Sequence, residues 1–319
     1  MPIVITEDVW WPIPDWITSK YEVLQDFTLW SNPEHIVSVG ANADALVVRN
    51  RTKVDRLLLE SLPRLRVVGR LGVGLDNIDL QACRDLGIVV VAAKGCNANA
   101  VAEYVIACMF QHARFLSVCD SCTRTGVWDR QKCMGRELNG KTLGLIGVGD
   151  IGQRVAVRAR ALGLRVIAYD PFLLKSHMLV QDFAVELTRL QLVCQMSDYI
   201  SVHVPLTATT RHLITENELA LCKKDAVLIN TSRGGIINEN ALFTHLTKQP
   251  ESFAFLDVRE KEPSAADDPF LLLPNLFLTP HIAGITHESS QRVAELVLDD
   301  IDRVLSGQNP MAAVVYPLP

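Results

Sequence analysis

An α/β fold in two domains is predicted by three observations. Short β-branched runs alternate with amphipathic stretches along the chain, a glycine-rich turn lies near the middle rather than at the start, and 319 residues exceed the roughly 100–200 of one domain. The runs are 3–6, 45–49, 66–71, 88–91, 142–147, 165–169, 199–204, 226–230, 253–258 and 276–279. Strands spaced by helical stretches build parallel βαβ units. Because the glycine-rich turn begins only after the strand at 142–147, the four strands before residue 98 need a sheet of their own. No fixed-period repeat or low-complexity linker interrupts this order.

Composition narrows the class. Apolar residues at 49% and charged residues at 21% are ample for buried cores, and a net charge of −5 leaves no electrostatic footprint for nucleic acid. The N-terminus lacks a basic stretch and meets Pro12 and Pro14 early, unlike a signal peptide, and no uncharged run approaches the ~18 residues of a membrane span. A cytoplasmic protein without membrane contact is expected. The eight cysteines then read as reduced thiols. Cys119 and Cys122 form a CxxC with no second pair and no matching histidines, so no metal site is expected. The stretch 101–116 reads as one long helix, apolar around much of its circumference through Val101, Val105, Ile106, Met109, Phe110 and Leu116. Such a helix needs cover on several sides, from the other domain or from a second subunit.

The segment TLGLIGVGDIGQRVAVRARALGLRVIAYD carries Gly147-x-Gly149-x-x-Gly152 between a strand and a helix, with seventeen residues before Asp170. A bare glycine pattern is weak evidence, but here strand, helix, second strand and terminal acid are all present, which defines a dinucleotide fingerprint. The glycines allow a tight turn and close approach of a pyrophosphate to the helix N-terminus. Asp170 suits ribose hydroxyls and repels a 2′-phosphate, and Pro171 and Phe172 bring no arginine to neutralise one. NAD is therefore expected over NADP.

In open parallel sheets, ligands bind beyond the carboxyl ends of the strands. Asp170, His203, Thr231 to Arg233, Asp257 and His281 follow predicted strands and are expected to converge. Hydride transfer at a carbinol carbon needs a proton acceptor, a cation to hold a carboxylate and polarise the carbonyl, and a nicotinamide. His281, Arg233 and the dinucleotide unit answer these needs, and Glu262 is the acid available to orient the imidazole. Each residue also has a plain structural reading, a satisfied histidine or a salt-bridged turn arginine, and spacing alone does not decide between them.

At these residues the chain resembles the D-isomer-specific 2-hydroxyacid dehydrogenases, phosphoglycerate dehydrogenases most closely. The likeness rests on VVRNRT (47–52), GRLGVGLDNIDL (69–80), NANAVAEY (97–104), MGRELNGKTLGLIGVGDIG (134–152), YDP (169–171), HVPLTATT (203–210), NTSRGG (230–235), LDVREKEP (256–263) and TPHIAG (279–284). It implies catalytic roles for Arg233, Glu262 and His281. It also implies substrate-carboxylate binding by the amides of Gly72, Val73 and Gly74, a loop suited to an anion nest. NAD contacts carry over to Gly147, Gly149, Asp150, Ile151, Gly152, Asp170, Pro205, Thr231, Asp257 and the turn ending at Gly284. The implied architecture is a doubly wound NAD-binding domain, 99–287, inserted into a smaller flavodoxin-like substrate domain formed by 1–98 and 288–319. The helix beginning near Val101 becomes the subunit contact of a homodimer. Two departures stand out: Ala100 where a serine is common, and Arg259 where an aromatic residue is common. Neither is a reactive position, and little effect is expected of either. No regulatory extension follows the implied second segment, so feedback through one is not expected.

The identity of the 2-hydroxy acid hinges on Arg49 and Arg51. If the chain stays extended, residues two apart share a side, and two cations there suit a distal phosphate or sulfonate. A salt-bridged structural pair is the plainer alternative. The resemblance favours 3-phosphoglycerate, with sulfolactate next and hydroxypyruvate or glyoxylate reduction third. A reading from another class, an NAD-sensing corepressor like the C-terminal binding proteins, lacks the basic or disordered tail a partner would need.

Overall fold

A computed structural model describes residues 1–316 as two compact units, one formed by 1–97 with the chain from Ile285 onward, the other by Ala98–Gly284. The second changeover lies just ahead of the helix His287–Leu305, whose N-cap Thr286 exchanges hydrogen bonds with Ser289, so the whole helix joins the first unit. Residues 317–319 of the expected 288–319 segment lie outside the described residues.

The first unit contains β1 (Pro2–Ile5), β2 (Glu22–Gln25), β3 (Ala45–Val48), β4 (Val67–Arg70) and β5 (Val89–Ala92), in the spatial order β2-β1-β3-β4-β5, all parallel. This is the flavodoxin-like order. β3, β4 and β5 are buried throughout, which explains why they read as continuous apolar runs rather than alternating ones. The helix His287–Leu305 covers one face with Val293, Ala294, Val297, Leu298 and Ile301, three and four residues apart. It packs close to the strands: a Cβ on Gly69 of β4 would lie 2.6 Å from the Ile301 Cδ1.

The second unit contains β6 (Thr142–Ile146), β7 (Arg165–Tyr169), β8 (Glu186–Leu187), β9 (Tyr199–Val202), β10 (Val227–Asn230), β11 (Phe253–Leu256) and β12 (Leu276–Leu278), in the order β8-β7-β6-β9-β10-β11-β12, all parallel. Both faces are covered by apolar clusters, as an all-parallel sheet requires. The order reverses direction at β6, between β7 and β9, and that switch point is where a doubly wound sheet opens a crevice.

The structure departs from the expectations in four places. β2, β8 and an antiparallel strand Ala313–Val315 beside β5 are additional; all are short edge pieces with mostly exposed side chains. The expected helix 101–116 is two helices, Ala98–Arg114 and Leu116–Arg124, separated by Phe115 at φ +32°. Phe110 and Leu116 are exposed. The third strand ends at Val48, and 50–52 form a bend. Among the described residues no helix is long and apolar enough to cross a membrane, and no group of three metal-ligating side chains occurs.

Candidate active site

The dinucleotide turn follows β6. Gly147 takes φ +90°, open to glycine, and a Cβ there would lie 2.7 Å from the His203 carbonyl oxygen. A Cβ on Gly152 would meet the Gly147 carbonyl at 2.5 Å, so this glycine lets helix Asp150–Ala161 start against the strand. Gly149 differs, because its Cβ would meet nothing within 4 Å. It caps the helix with no side chain, leaving the first N–H groups, those of Asp150 and Ile151 included, to an outside acceptor. The Asp150 carboxylate pairs with Arg154 one turn on.

Asp170 ends β7. Its Oδ2 accepts from the Val148 amide at 2.8 Å and its Oδ1 from the Phe172 amide at 2.9 Å, which fixes the carboxylate beside the glycine turn. Pro205 lies in the loop after His203, and its carbonyl accepts from the Thr210 hydroxyl at 2.5 Å. His203 itself is half-buried with its Nδ1 out of solvent, and burial pushes its imidazole down to about 4, so it is neutral at physiological pH. Thr231, at the end of β10, is 8% exposed, and its Oγ1 is buried without a hydrogen-bond partner. A bare helix N-terminus, an open position above Gly149 and an unsatisfied hydroxyl at the same sheet edge fit a bound dinucleotide.

The candidate catalytic side chains stand on the loops after β10, β11 and β12. Asn230 shapes the turn after β10, donating to the Arg233 carbonyl at 2.9 Å and accepting from Ser232. Nδ1 of His281 lies 2.8 Å from Oε2 of Glu262. Burial raises the Glu262 carboxyl, but the hydrogen bonds from His281 and the Arg259 amide, with the charge of Arg233, win and hold it below its ordinary value. His281 and Glu262 are 37% and 34% exposed, so a small substrate reaches them. His281 adopts φ +59°, a conformation that costs a non-glycine residue on the order of 1–3 kcal/mol and persists only where neighbours impose it.

Asp257 imposes it. Its carboxylate, 2% exposed, accepts from the Thr279 hydroxyl at 2.6 Å, the Ile282 amide at 2.8 Å and the Ala283 amide at 2.7 Å. Tyr104 in turn meets the Thr279 hydroxyl at 2.5 Å. The sequence reading gave Asp257 a cofactor contact and missed this framing of the His281 to Gly284 turn. Its position directly after a strand was the available signal.

In the first unit, Gly72 at φ +151° opens the loop Gly72-Val73-Gly74, and Val73 is exposed. Arg49 and Arg51 do not lie on an extended segment, so spacing does not put them on one side. The chain bends around the buried Glu7 carboxylate, which accepts from the amides of Arg49 at 2.8 Å, Arg51 at 3.1 Å and Thr52 at 2.9 Å. The Arg49 guanidinium then stacks 3.4 Å from the Trp10 ring centre, whereas Arg51 stacks 4.8 Å from that of Trp30. Burial, with the nearby charge of Arg70, pushes Arg49 down to about 10, still a cation at neutral pH. Arg70 also lies under the glycine loop, since a Cβ on Gly72 would be 2.0 Å from its Nη1. This second cation beside Arg49 was overlooked, although it ends β4 within GRLGVGLDNIDL.

A doubly wound dinucleotide sheet carrying an imidazole–carboxylate pair and an arginine on adjacent strand ends defines an NAD-dependent dehydrogenase. The profile of the D-isomer specific 2-hydroxyacid dehydrogenase NAD binding domain matches residues 106–283. The chain is 45% identical over 280 residues to a (S)-sulfolactate dehydrogenase of Chromohalobacter salexigens, covering 88% of this chain and 90% of that one. It is 41% identical over 276 residues to a D-3-phosphoglycerate dehydrogenase of Methanocaldococcus jannaschii, covering 86% of this chain but 52% of that one. The crystal structure of a D-lactate dehydrogenase from Aquifex aeolicus, complexed with NAD and lactic acid, superimposes with a TM-score of 0.88 at 28% identity, covering both chains fully. The chain belongs to the D-isomer specific 2-hydroxyacid dehydrogenase family, and its cofactor is NAD.

Proposed function

We propose that this dehydrogenase interconverts a three-carbon 2-hydroxy acid bearing a distal phosphate or sulfonate with its 2-oxo acid. The observation that carries the reading is the His281–Glu262 pair, 2.8 Å apart and within the charge of Arg233. Bound NAD supplies the nicotinamide that accepts the hydride from carbon 2. His281, its Nδ1 engaged by Glu262, takes the hydroxyl proton on Nε2, and the Glu262 carboxylate stabilises the imidazolium that results. Arg233 holds the substrate carboxylate and polarises the forming carbonyl; the amides of Gly72 to Gly74 form a loop suited to a carboxylate. For NAD, the amides of Asp150 and Ile151 would hold the pyrophosphate and Asp170 the ribose, with Pro205, Thr231 and Gly284 as further contacts and Asp257 acting through the turn it frames.

Arg49 and Arg51 are assigned to the distal anion, with Arg70 as an added cation. Two acids fit. Sulfolactate is favoured by a sulfolactate dehydrogenase of nearly the same length, and 3-phosphoglycerate by the motifs. A panel of sulfolactate, phosphoglycerate, glycerate, lactate and malate, scored by NAD reduction, ranks them. Arg51→Ala is expected to lower kcat/KM for the charged-tail acid by roughly 10–150-fold and to leave glycerate nearly untouched. Equal losses on both acids, with a lowered Tm, would retire the assignment. The enzyme is further proposed to be a cytoplasmic homodimer. Its eight unbridged cysteines suit a reducing compartment, and the exposed apolar residues Leu116, Val118, Trp128 and Met134 supply a surface for a second copy.

A further inference from the structure

Arg259 was expected to matter little, yet every nitrogen of its guanidinium has a partner. Its side chain is 9% exposed. Nε and Nη2 hold both oxygens of Glu239, at 3.0 and 2.9 Å, while Nη1 lies 2.9 Å from Oδ2 of Asp268. The guanidinium also stacks 4.2 Å from the centre of the Phe270 ring. Planar, bidentate pairing of this kind fixes orientation as well as charge. The Arg259 guanidinium is held above its ordinary value: burial lowers it, and the two carboxylates more than compensate.

The same residue's main chain reaches the reactive pair. The Arg259 amide donates to Oε1 of Glu262 at 2.9 Å, and the other oxygen of Glu262 meets His281. Two further contacts pin the loop from other directions. The Glu260 amide donates to Oε1 of Glu239 at 2.7 Å, and a Cβ on Gly234, next to Arg233, would lie only 2.0 Å from the Arg259 carbonyl oxygen. Glu239 opens the helix Glu239–Lys248, whose packed face includes Ala241, Leu242 and Leu246. A rigid helix thus holds the arginine, the arginine holds its own backbone, and that backbone aims the carboxylate.

We propose that Arg259 is a positioning residue for hydride transfer: its clamp to Glu239 and Asp268 fixes the loop so that its amide orients Glu262 and keeps it ionised against His281. The inference rests on the dehydrogenase mechanism given above. Loss of the clamp frees the amide, and a carboxylate losing a hydrogen-bond donor titrates at higher pH. In the reduction of a 2-oxo acid, ionised Glu262 supports the protonated imidazole, so the acid limb of the rate profile follows that titration.

The test uses the whole enzyme with NADH and the 2-oxo acid of whichever substrate the panel ranks first. Arg259→Met is expected to lower kcat about 10–100-fold through misplacement alone, to move the acid limb of kcat to higher pH and to leave the KM for NADH unchanged. Arg259→Lys, which keeps the charge but not the bidentate fork, is expected to recover part of both effects. Should Arg259→Met fail to fold, Glu239→Gln keeps the Asp268 pair and is expected to shift the acid limb the same way by less. A variant with lowered Tm but wild-type kcat and pH profile overturns the inference and leaves Arg259 purely structural. His281→Ala measured alongside separates the two levels. If it is inactive while Arg259→Met is normal, only the positioning role falls; if it keeps full turnover, the mechanism and this inference fall together.

Discussion

At the scale of single residues, His281 and Glu262 are expected to be separable by kinetics. His281→Ala removes the proposed proton acceptor and is expected to lower turnover at least about 100-fold, the low end of general acid–base catalysis, with NAD affinity unchanged. Glu262→Gln retains the base and is expected to cost less. It should also erase the acid limb of the reductive pH profile, because the group held below its ordinary value by His281 and the Arg259 amide no longer titrates. Persistence of that limb in Glu262→Gln would assign it to another acid. The meeting of these two side chains was legible because TPHIAG and LDVREKEP follow the ends of neighbouring strands. The left-handed backbone of His281 was not, since no glycine or asparagine marks it and its cause, Asp257, lies 24 residues earlier. The stacking of Arg49 on Trp10 was equally hidden, because a pairing 39 residues apart depends on β1 and β3 being neighbours.

At the scale of elements, strands buried on both faces announced themselves and edge strands did not. ALVV, VVVA and VLIN carry their fate in composition, whereas EVLQ and the dipeptide Glu186-Leu187 are half polar and acquire structure only from the strand beside them. The helix break at Phe115 was missed for a related reason. No proline or glycine interrupts the run, and the apolar pattern continues into Leu116. The strand Ala313–Val315 depends on a buried anchor in helix His287–Leu305. Asp300, fully buried, accepts from the amides of Met311 at 2.7 Å and Ala312 at 2.6 Å. Asp300→Ala is expected to destabilise the first unit by about 1.5–3 kcal/mol, the range for hydrogen bonds to a charged group. Urea denaturation reads this as a lowered midpoint, and an unchanged midpoint would show that the strand docks without it.

At the scale of the molecule, the dinucleotide fold, the α/β class and the family were all readable before any coordinates. The particular acid was not, because it depends on how cations from separate loops are aimed rather than on their presence. Assembly is open to direct measurement. Sedimentation equilibrium is expected to return about twice the 35.3 kDa chain mass, and Leu116→Glu with Trp128→Glu to return one chain mass; a monomeric wild type would exclude the homodimer. The split first unit has a further consequence, in the timing of synthesis. The face of its sheet bearing Val47, Val67 and Val91 is closed by Val293, Val297 and Ile301, which leave the ribosome just over two hundred residues after β5. At roughly 5–20 residues per second, that is an interval of about 10–40 seconds. Over that interval the whole second unit is made and completed, while the strands of the first still expose one apolar face. The unit whose strands are made first is thus the last able to fold, its sheet uncovered until the helix His287–Leu305 is complete.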